Sequence, residues 1–422
     1  MRIVVTGQIG LDKKQYLEQV AALARSHGES LHTYHIGDMM YREAADIPPG
    51  RILDLPLSRL NSLRRAVFRD ILSEAPAHPH ILINTHATFR WKHGLFAAFD
   101  FDQLAAFNAD LYICLVDNIE TVHERMVRDH ETEHSLKDLM VWREEEILAT
   151  EILAKANVRP VGKGAEQPKF FVLSRGRAPN STAETLFRLI FRPAMKRVYP
   201  SFPMTHIHDL PDTLAEVNAF RAQMAERFIT FDPGDVDEKL LADQALQAAK
   251  EGKTTLDIPA SPPECALPVP PSKNRKSKIE NHKSKMGGGK NTFQLKIPDI
   301  LAILPDIDGQ IYSRDFLLVR QSDMVISYIP EIPAPPASGA DAPVGSRAAG
   351  KAPGKPALSS GVERELQHAH DHGRDTFVIW KPAQEPSPFI TQTATKVFRS
   401  TAEALAYFDQ KGYFQPHSLF GG

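Results

Sequence analysis

Short apolar runs alternate along the chain with stretches in which apolar residues recur every three to four positions. Ile3 to Val5 precedes Tyr16 to Ala24, where Leu17, Val20, Ala21 and Ala24 fall at helical spacing. Ile81 to Ile83, Leu111 to Val116 and Phe170 to Leu173 read as further buried strands, separated by helical patterns over Leu60 to Leu72 and Leu136 to Ala156. Strand followed by helix, repeated, predicts a parallel sheet covered by helices. A second series starts near Arg197. Val198 to Met204 reads as strand and loop, Leu214 to Glu226 as helix, Phe228 to Phe231 as strand and Tyr312 to Val319 as helix. Met324 to Ile329 and Thr376 to Trp380 read as strands, with Ser359 to His372 as the helix between them.

The pattern therefore predicts two three-layer α/β parallel-sheet domains, 1–192 and 196–422. Composition sharpens this. The 422 residues exceed one ordinary core. Proline is concentrated within Pro259 to Pro271 and Pro330 to Pro356, and lysine and arginine within Lys273 to Lys290, so a net charge of -2 hides a basic tether in an acidic protein. Two insertions, at about 251–291 and 330–358, are too rich in Pro, Gly, Ala, Ser and Lys to bury much apolar surface and are expected to be flexible. The second of these enters just before Ser359 and is expected to act as a lid. Lys273 to Lys290 has no interleaved aromatic residues for base stacking, so no specific nucleic acid is expected. No apolar run approaches a membrane span, and the N-terminus lacks a signal-peptide pattern. Two cysteines, Cys114 and Cys265, do not make a disulfide framework. A cytoplasmic protein is expected.

The first strand feeds Gly7-Gln8-Ile9-Gly10-Leu11-Asp12-Lys13-Lys14 and then a helix. Glycines there bring backbone N–H groups onto phosphate oxygens, assisted by the helix N-terminus and a lysine. With His35-Ile36-Gly37-Asp38-Met39-Met40, Asn84-Thr85-His86-Ala87-Thr88-Phe89-Arg90 and the stretch through Arg125 to Asp129, the first 190 or so residues resemble the adenylate-kinase-like P-loop nucleotide kinases, especially the archaeal type. The resemblance implies phosphate or nucleotide contacts from Gly7, Gly10, Lys13, Lys14, Asp38, Arg90, Arg125 and Arg128. The departures share a direction: Asp12 replaces a glycine, Lys14 the Mg²⁺-binding hydroxyl and Asn84 the metal-organising Asp, and Glu131 and Glu133 stand where clamping arginines belong. Phosphoryl transfer rests on positioning and charge neutralisation. The expectation is a domain that binds ATP or another nucleotide and transfers phosphate weakly or not at all, with Lys13 and Lys14 as countercharge in place of Mg²⁺.

In the second series Tyr199-Pro200-Ser201-Phe202-Pro203-Met204-Thr205 ends a strand, Ile311-Tyr312-Ser313-Arg314-Asp315 opens a helix, and Ser359-Ser360-Gly361-Val362-Glu363-Arg364-Glu365 opens another. Together they resemble the nucleoside 2-deoxyribosyltransferase-like superfamily, which includes the 2'-deoxynucleoside 5'-monophosphate N-glycosidases and has a flavodoxin/Rossmann-like fold. The resemblance implies Glu365 as nucleophile, Asp315 as the acid near the base and Tyr312 as the hydroxyl orienting Glu365. Pro203, Met204, Thr205, Ser359, Ser360 and Gly361 would bind the nucleoside or nucleotide substrate. Ser359 stands where the transferases usually have Asp, which favours hydrolysis of nucleoside monophosphates over base exchange. The chemistry requires no cofactor and no metal, and relatives imply a homo-oligomer.

Glu365 and Asp315 could also be read as first-turn charges complementing helix dipoles. Two other functions compete: an active nucleoside monophosphate kinase with an atypical loop, and a nucleotide sensor or scaffold in nucleotide homeostasis or defence. Asp323 reads as structural, His206 and His208 as solvated loop, and His368, His370 and His372 do not share one helical face.

Overall fold

A computed structural model describes all residues except 49, 92–93, 131–133, 162–163, 177–181, 261–291, 334–353 and 415–422. The chain forms two compact units: Met1–Ile190 with Asp235–Ile311, and Phe191–Gly234 with Tyr312–Gly422. The segment Asp235–Ile311, expected from sequence in the second domain, thus belongs to the first.

The sheet of the first unit has five strands, β1 (Arg2–Thr6), β2 (His32–His35), β3 (Ile81–Asn84), β4 (Leu111–Val116) and β5 (Lys169–Ser174), in the order β2-β3-β1-β4-β5. Every pairing is parallel. Ile3 to Val5 and all of β4 are buried because helices cover both faces, which is why these strands read as continuous apolar runs rather than alternating ones. The helices α1 (Lys13–Ser26), α2 (Ile36–Glu43), α3 (Leu57–Glu74), α4 (Ile119–His130) and α5 (Leu136–Ala156) supply the covering layers. The chain leaves β1 toward β2 on one side, whereas β4 and β5 lie on the other. The loop after β1 therefore sits at a topological switch point, where open α/β sheets bind ligands.

The segment Asp235–Ile311 is tied to the first unit by buried polar contacts. Arg143 of α5 donates to Glu238 at 2.5 Å and to Gln310 at 2.6 and 2.9 Å, and Glu238 also accepts the N–H of Ile119. Both Arg143 and Glu238 are buried, so each charge has the other as its compensating partner away from water. Within the stretch expected to be flexible, Thr255–Pro259 instead pairs antiparallel with Thr292–Lys296; residues 261–291 between them lie outside the described residues.

The second unit carries β6 (Arg197–Ser201), β7 (Ile229–Thr230), β8 (Met324–Ile329), β9 (Asp375–Trp380) and β10 (Lys396–Phe398), in the order β7-β6-β8-β9-β10 with all pairings parallel. Counted within the unit this is 2-1-3-4-5, the flavodoxin-like order, with its switch point between the carboxyl ends of β6 and β8. Its helices include α6 (Pro211–Arg227), α7 (Leu304–Gln321), within which the chain passes from the first unit to the second, α8 (Ser360–Asp371) and α9 (Thr401–Gln410). Val198, Met324, Ile326, Tyr328, Phe377 and Ile379 fill one core on one face of the sheet. By strand alternation Tyr199, Ser201 and Ser327 lie on the opposite face. Asp323 accepts the Arg197 N–H and side chain and fixes the start of β8 against β6. At the edges of the second insertion Glu331–Ile332 pairs with Lys355–Pro356, and the lid expectation falls on 334–353, outside the described residues.

Candidate functional site

At the first switch point the loop is tight. Gly7 and Gly10 hold φ of +130° and +85°, and a Cβ on Gly7 would stand 2.7 Å from the Leu115 carbonyl oxygen. Asp12, at the position of a family glycine, adopts the left-handed conformation with φ 47°. Aspartate tolerates that region better than most side chains.

Each cation expected to meet phosphate already has a protein partner. Lys13 is buried and donates to the Gly7 carbonyl and to His86 Nδ1 at 3.0 Å. Burial lowers its pKa to about 7 despite the opposing pull of Glu146. Lys14 donates to Asp38 at 2.5 Å in an exposed pair. Arg90 forms a two-pronged pair with Glu145 at 2.5 Å. Arg125 is buried on Asp117 at 2.8 Å and lies 3.4 Å from Asp12, and Arg128 spans Asp129, Glu124 and Asp12. Glu131 and Glu133 lie outside the described residues.

Sequence reasoning missed Glu146 of α5. Its buried carboxylate accepts the N–H groups of Gly7, Ala87 and Thr88 and the Thr88 hydroxyl, which fastens the start of the loop to the segment after β3. A glutamate within a long amphipathic helix carries no signal of this in the sequence.

The kinase resemblance implies Mg²⁺, and the donor set does not fit it. Magnesium takes oxygen ligands, usually carboxylate, hydroxyl, water and phosphate. Position 14 offers an ammonium group. Position 84 offers an amide, whose nitrogen donates to His35 and whose oxygen is buried without a hydrogen-bond partner. The nearby carboxylates of Asp12, Asp38, Asp117 and Glu146 are engaged as above. Among the described residues no group of three or more His, Cys, Asp or Glu could hold a metal ion.

The second switch point holds the other constellation. Ser201, at the carboxyl end of β6, donates to Glu365 Oε2 at 2.5 Å. Burial pushes the Glu365 pKa up, opposed by the hydroxyls of Ser201 and Tyr199. The Tyr199 hydroxyl is buried without a complete hydrogen bond, and its pKa is raised well above the usual phenol value by burial and then by the charges of Asp315 and Glu365. Glu365 and Asp315 are both close enough to Tyr199 for their charges to act on its hydroxyl. Tyr312 is not part of the group: it is 56% exposed and packs edge-on against Phe316 at 4.5 Å. The hydroxyl that bonds Glu365 is that of Ser201, with Tyr199 near it; both lie within the strand motif already quoted from the sequence.

The remaining predicted contacts divide. Ser359 caps α8 by accepting the Val362 N–H at 3.3 Å, and Ser360 and Gly361 follow it, exposed in the first turn. Pro203 is buried, and Met204 packs on the apolar core rather than standing free at the rim. Thr205 lies in the short helix Met204–Ile207; its side chain and that of His206 fall outside the described residues. His208 is exposed and pairs with Asp209.

Residues 6–143 match the AAA domain family, a match confined to the first unit. Among solved structures the chain is similar to a gluconokinase from Sinorhizobium meliloti 1021, at 13% identity over 45% of this chain and 87% of that one, with a TM-score of 0.23. No curated protein matches the chain. Among the described residues no helix is long and apolar enough to cross a membrane. With the loop at its switch point and the family match over it, the first unit is a P-loop, kinase-like, nucleotide-binding domain.

Proposed function

We propose that the second unit cleaves the N-glycosidic bond of a nucleoside monophosphate or nucleoside, and that the first unit binds a nucleotide while transferring phosphate poorly or not at all. The observation that carries the glycosidic reading is a partly buried carboxylate, Glu365, that accepts the Ser201 hydroxyl at the carboxyl edge of a flavodoxin-order sheet, near a Tyr199 hydroxyl on which the charge of Asp315 also acts. Such a carboxylate is fixed in direction and partly shielded from water, as suits a nucleophile.

In this reading a Glu365 oxygen forms a bond to C1' as the C1'–N bond breaks. The bonding pair passes to the base nitrogen, which takes a proton from Asp315. Water then adds to C1', the ester bond to Glu365 breaks, and the water proton returns to Asp315. In this reading Ser360 and Gly361, exposed residues in the first turn of α8, would offer their N–H groups to a 5'-phosphate. The paired state of Arg90, Arg125 and Arg128 supports the weak-transfer reading, since cations already neutralised do little for a developing phosphoryl charge.

The test is chromatography of nucleosides and their 5'-monophosphates, ribo and deoxyribo, after incubation with the wild type and with Glu365→Ala, with and without ATP. Free base is expected from at least one substrate with the wild type and from none with the variant. Base release that survives in Glu365→Ala, or none from any substrate, would overturn the glycosidic reading. Rapid ADP formation from ATP and a nucleoside monophosphate would overturn the other.

A further inference from the structure

We infer that the first unit takes its nucleoside phosphate free of Mg²⁺, with the ammonium group of Lys14 moving from Asp38 to the phosphates to supply the charge a metal ion would bring. The inference rests on the nucleotide-binding reading and deepens it by naming the form of the ligand. Three observations carry it. The two positions that would organise a metal hold an ammonium group and an amide, Lys14 and Asn84. The carboxylates around the loop are satisfied by protein donors: Glu146 by four, Asp117 by Arg125, and Asp12 by Arg125 and Arg128. Finally, the Lys14–Asp38 pair differs from the buried ones around it. Its partners are 55% and 53% exposed, so solvent screens it and little holds it closed.

Lys14 lies in the first turn of α1, directly after Lys13, where a bound phosphate chain would meet it. A polyphosphate carries several negative charges against the single charge of Asp38, so exchange of partners favours the ligand. Magnesium would meet an ammonium group in place of a hydroxyl at position 14, and would cancel charge on the phosphates that Lys13 and Lys14 would otherwise neutralise.

Titration calorimetry of the full chain with ATP, in EDTA and again with excess MgCl₂, tests this. The two dissociation constants should agree to within about threefold, or binding should be tighter in EDTA. Lys14→Ser should weaken binding in EDTA by at least about tenfold, and Asp38→Asn, which releases Lys14, should strengthen it. Binding tightened about tenfold or more by Mg²⁺ in the wild type would overturn the inference, as would unchanged EDTA affinity in Lys14→Ser. Failure to bind ATP in either buffer would instead remove the nucleotide reading on which it stands.

Discussion

At Glu365, ionisation decides function. A nucleophilic carboxylate must be charged, and burial raises the pH at which it becomes so, while the hydroxyls of Ser201 and Tyr199 lower it. The acid limb of base release should therefore lie above the ordinary glutamate range. Ser201→Ala removes a donor to the charged form and should move that limb to still higher pH, with a loss in kcat/KM of roughly tenfold or more at neutral pH. Tyr199→Phe should act in the same direction. Tyr312→Phe should leave the profile unchanged, because its ring is exposed and packs edge-on against Phe316. A pH–rate series on these three variants separates the two tyrosines, and a limb displaced by Tyr312→Phe rather than by Tyr199→Phe would restore the role that the deoxyribosyltransferase resemblance implies for Tyr312.

The element that most departs from its family pattern is the loop between β1 and α1. Its glycines are fixed by geometry, since Gly7 and Gly10 both hold positive φ and a Cβ on Gly7 would also run into the Leu115 carbonyl. Asp12 is the exception, a left-handed non-glycine whose carboxylate faces Arg125 and Arg128. It adds strain, places negative charge at a phosphate site and occupies two arginines. Asp12→Gly should relieve the first and remove the others. Arg125 keeps Asp117, and Arg128 keeps Glu124 and Asp129, so the fold should survive. Left-handed strain of about 1 kcal/mol or more is relieved, against a modest loss from partly exposed ion pairs, so Tm should stay near its wild-type value or rise. ATP affinity should increase by about fivefold or more. Calorimetry and thermal melting on one sample decide this, and weakened binding with an intact fold would mean that Asp12 contributes to the site rather than obstructing it.

Across the whole molecule, legibility followed the range of the interactions. Strands buried on both faces announced themselves as apolar runs, as in β4, and the strand–helix alternation fixed the α/β class. The loop after β1 and the carboxylate pair Asp315 and Glu365 were visible as local motifs. The partner of Glu365 was less so: in a parallel sheet both strand faces are buried, so Tyr199 and Ser201 look like any strand residues until the core claims Val198 on the other side. Least visible was the membership of Asp235–Ile311, because a buried pair such as Arg143 and Glu238 has no trace in sequence spacing. That pair carries the last prediction. Glu238→Ala strands a buried guanidinium that, among the described residues, keeps the amide oxygen of Gln310 and the carbonyl of Asp117. Breaking one side of a buried ion pair costs about 3–5 kcal/mol, enough to lower the first unit's melting transition by several degrees. Arg143→Met with Glu238→Leu, which removes both charges, should recover most of that loss. A chain ended at Ile190 lacks Glu238 and Gln310 together and should melt below the first unit of the full chain. An undiminished transition in both Glu238→Ala and the shortened chain would return Asp235–Ile311 to the second domain, where the sequence alone had put it.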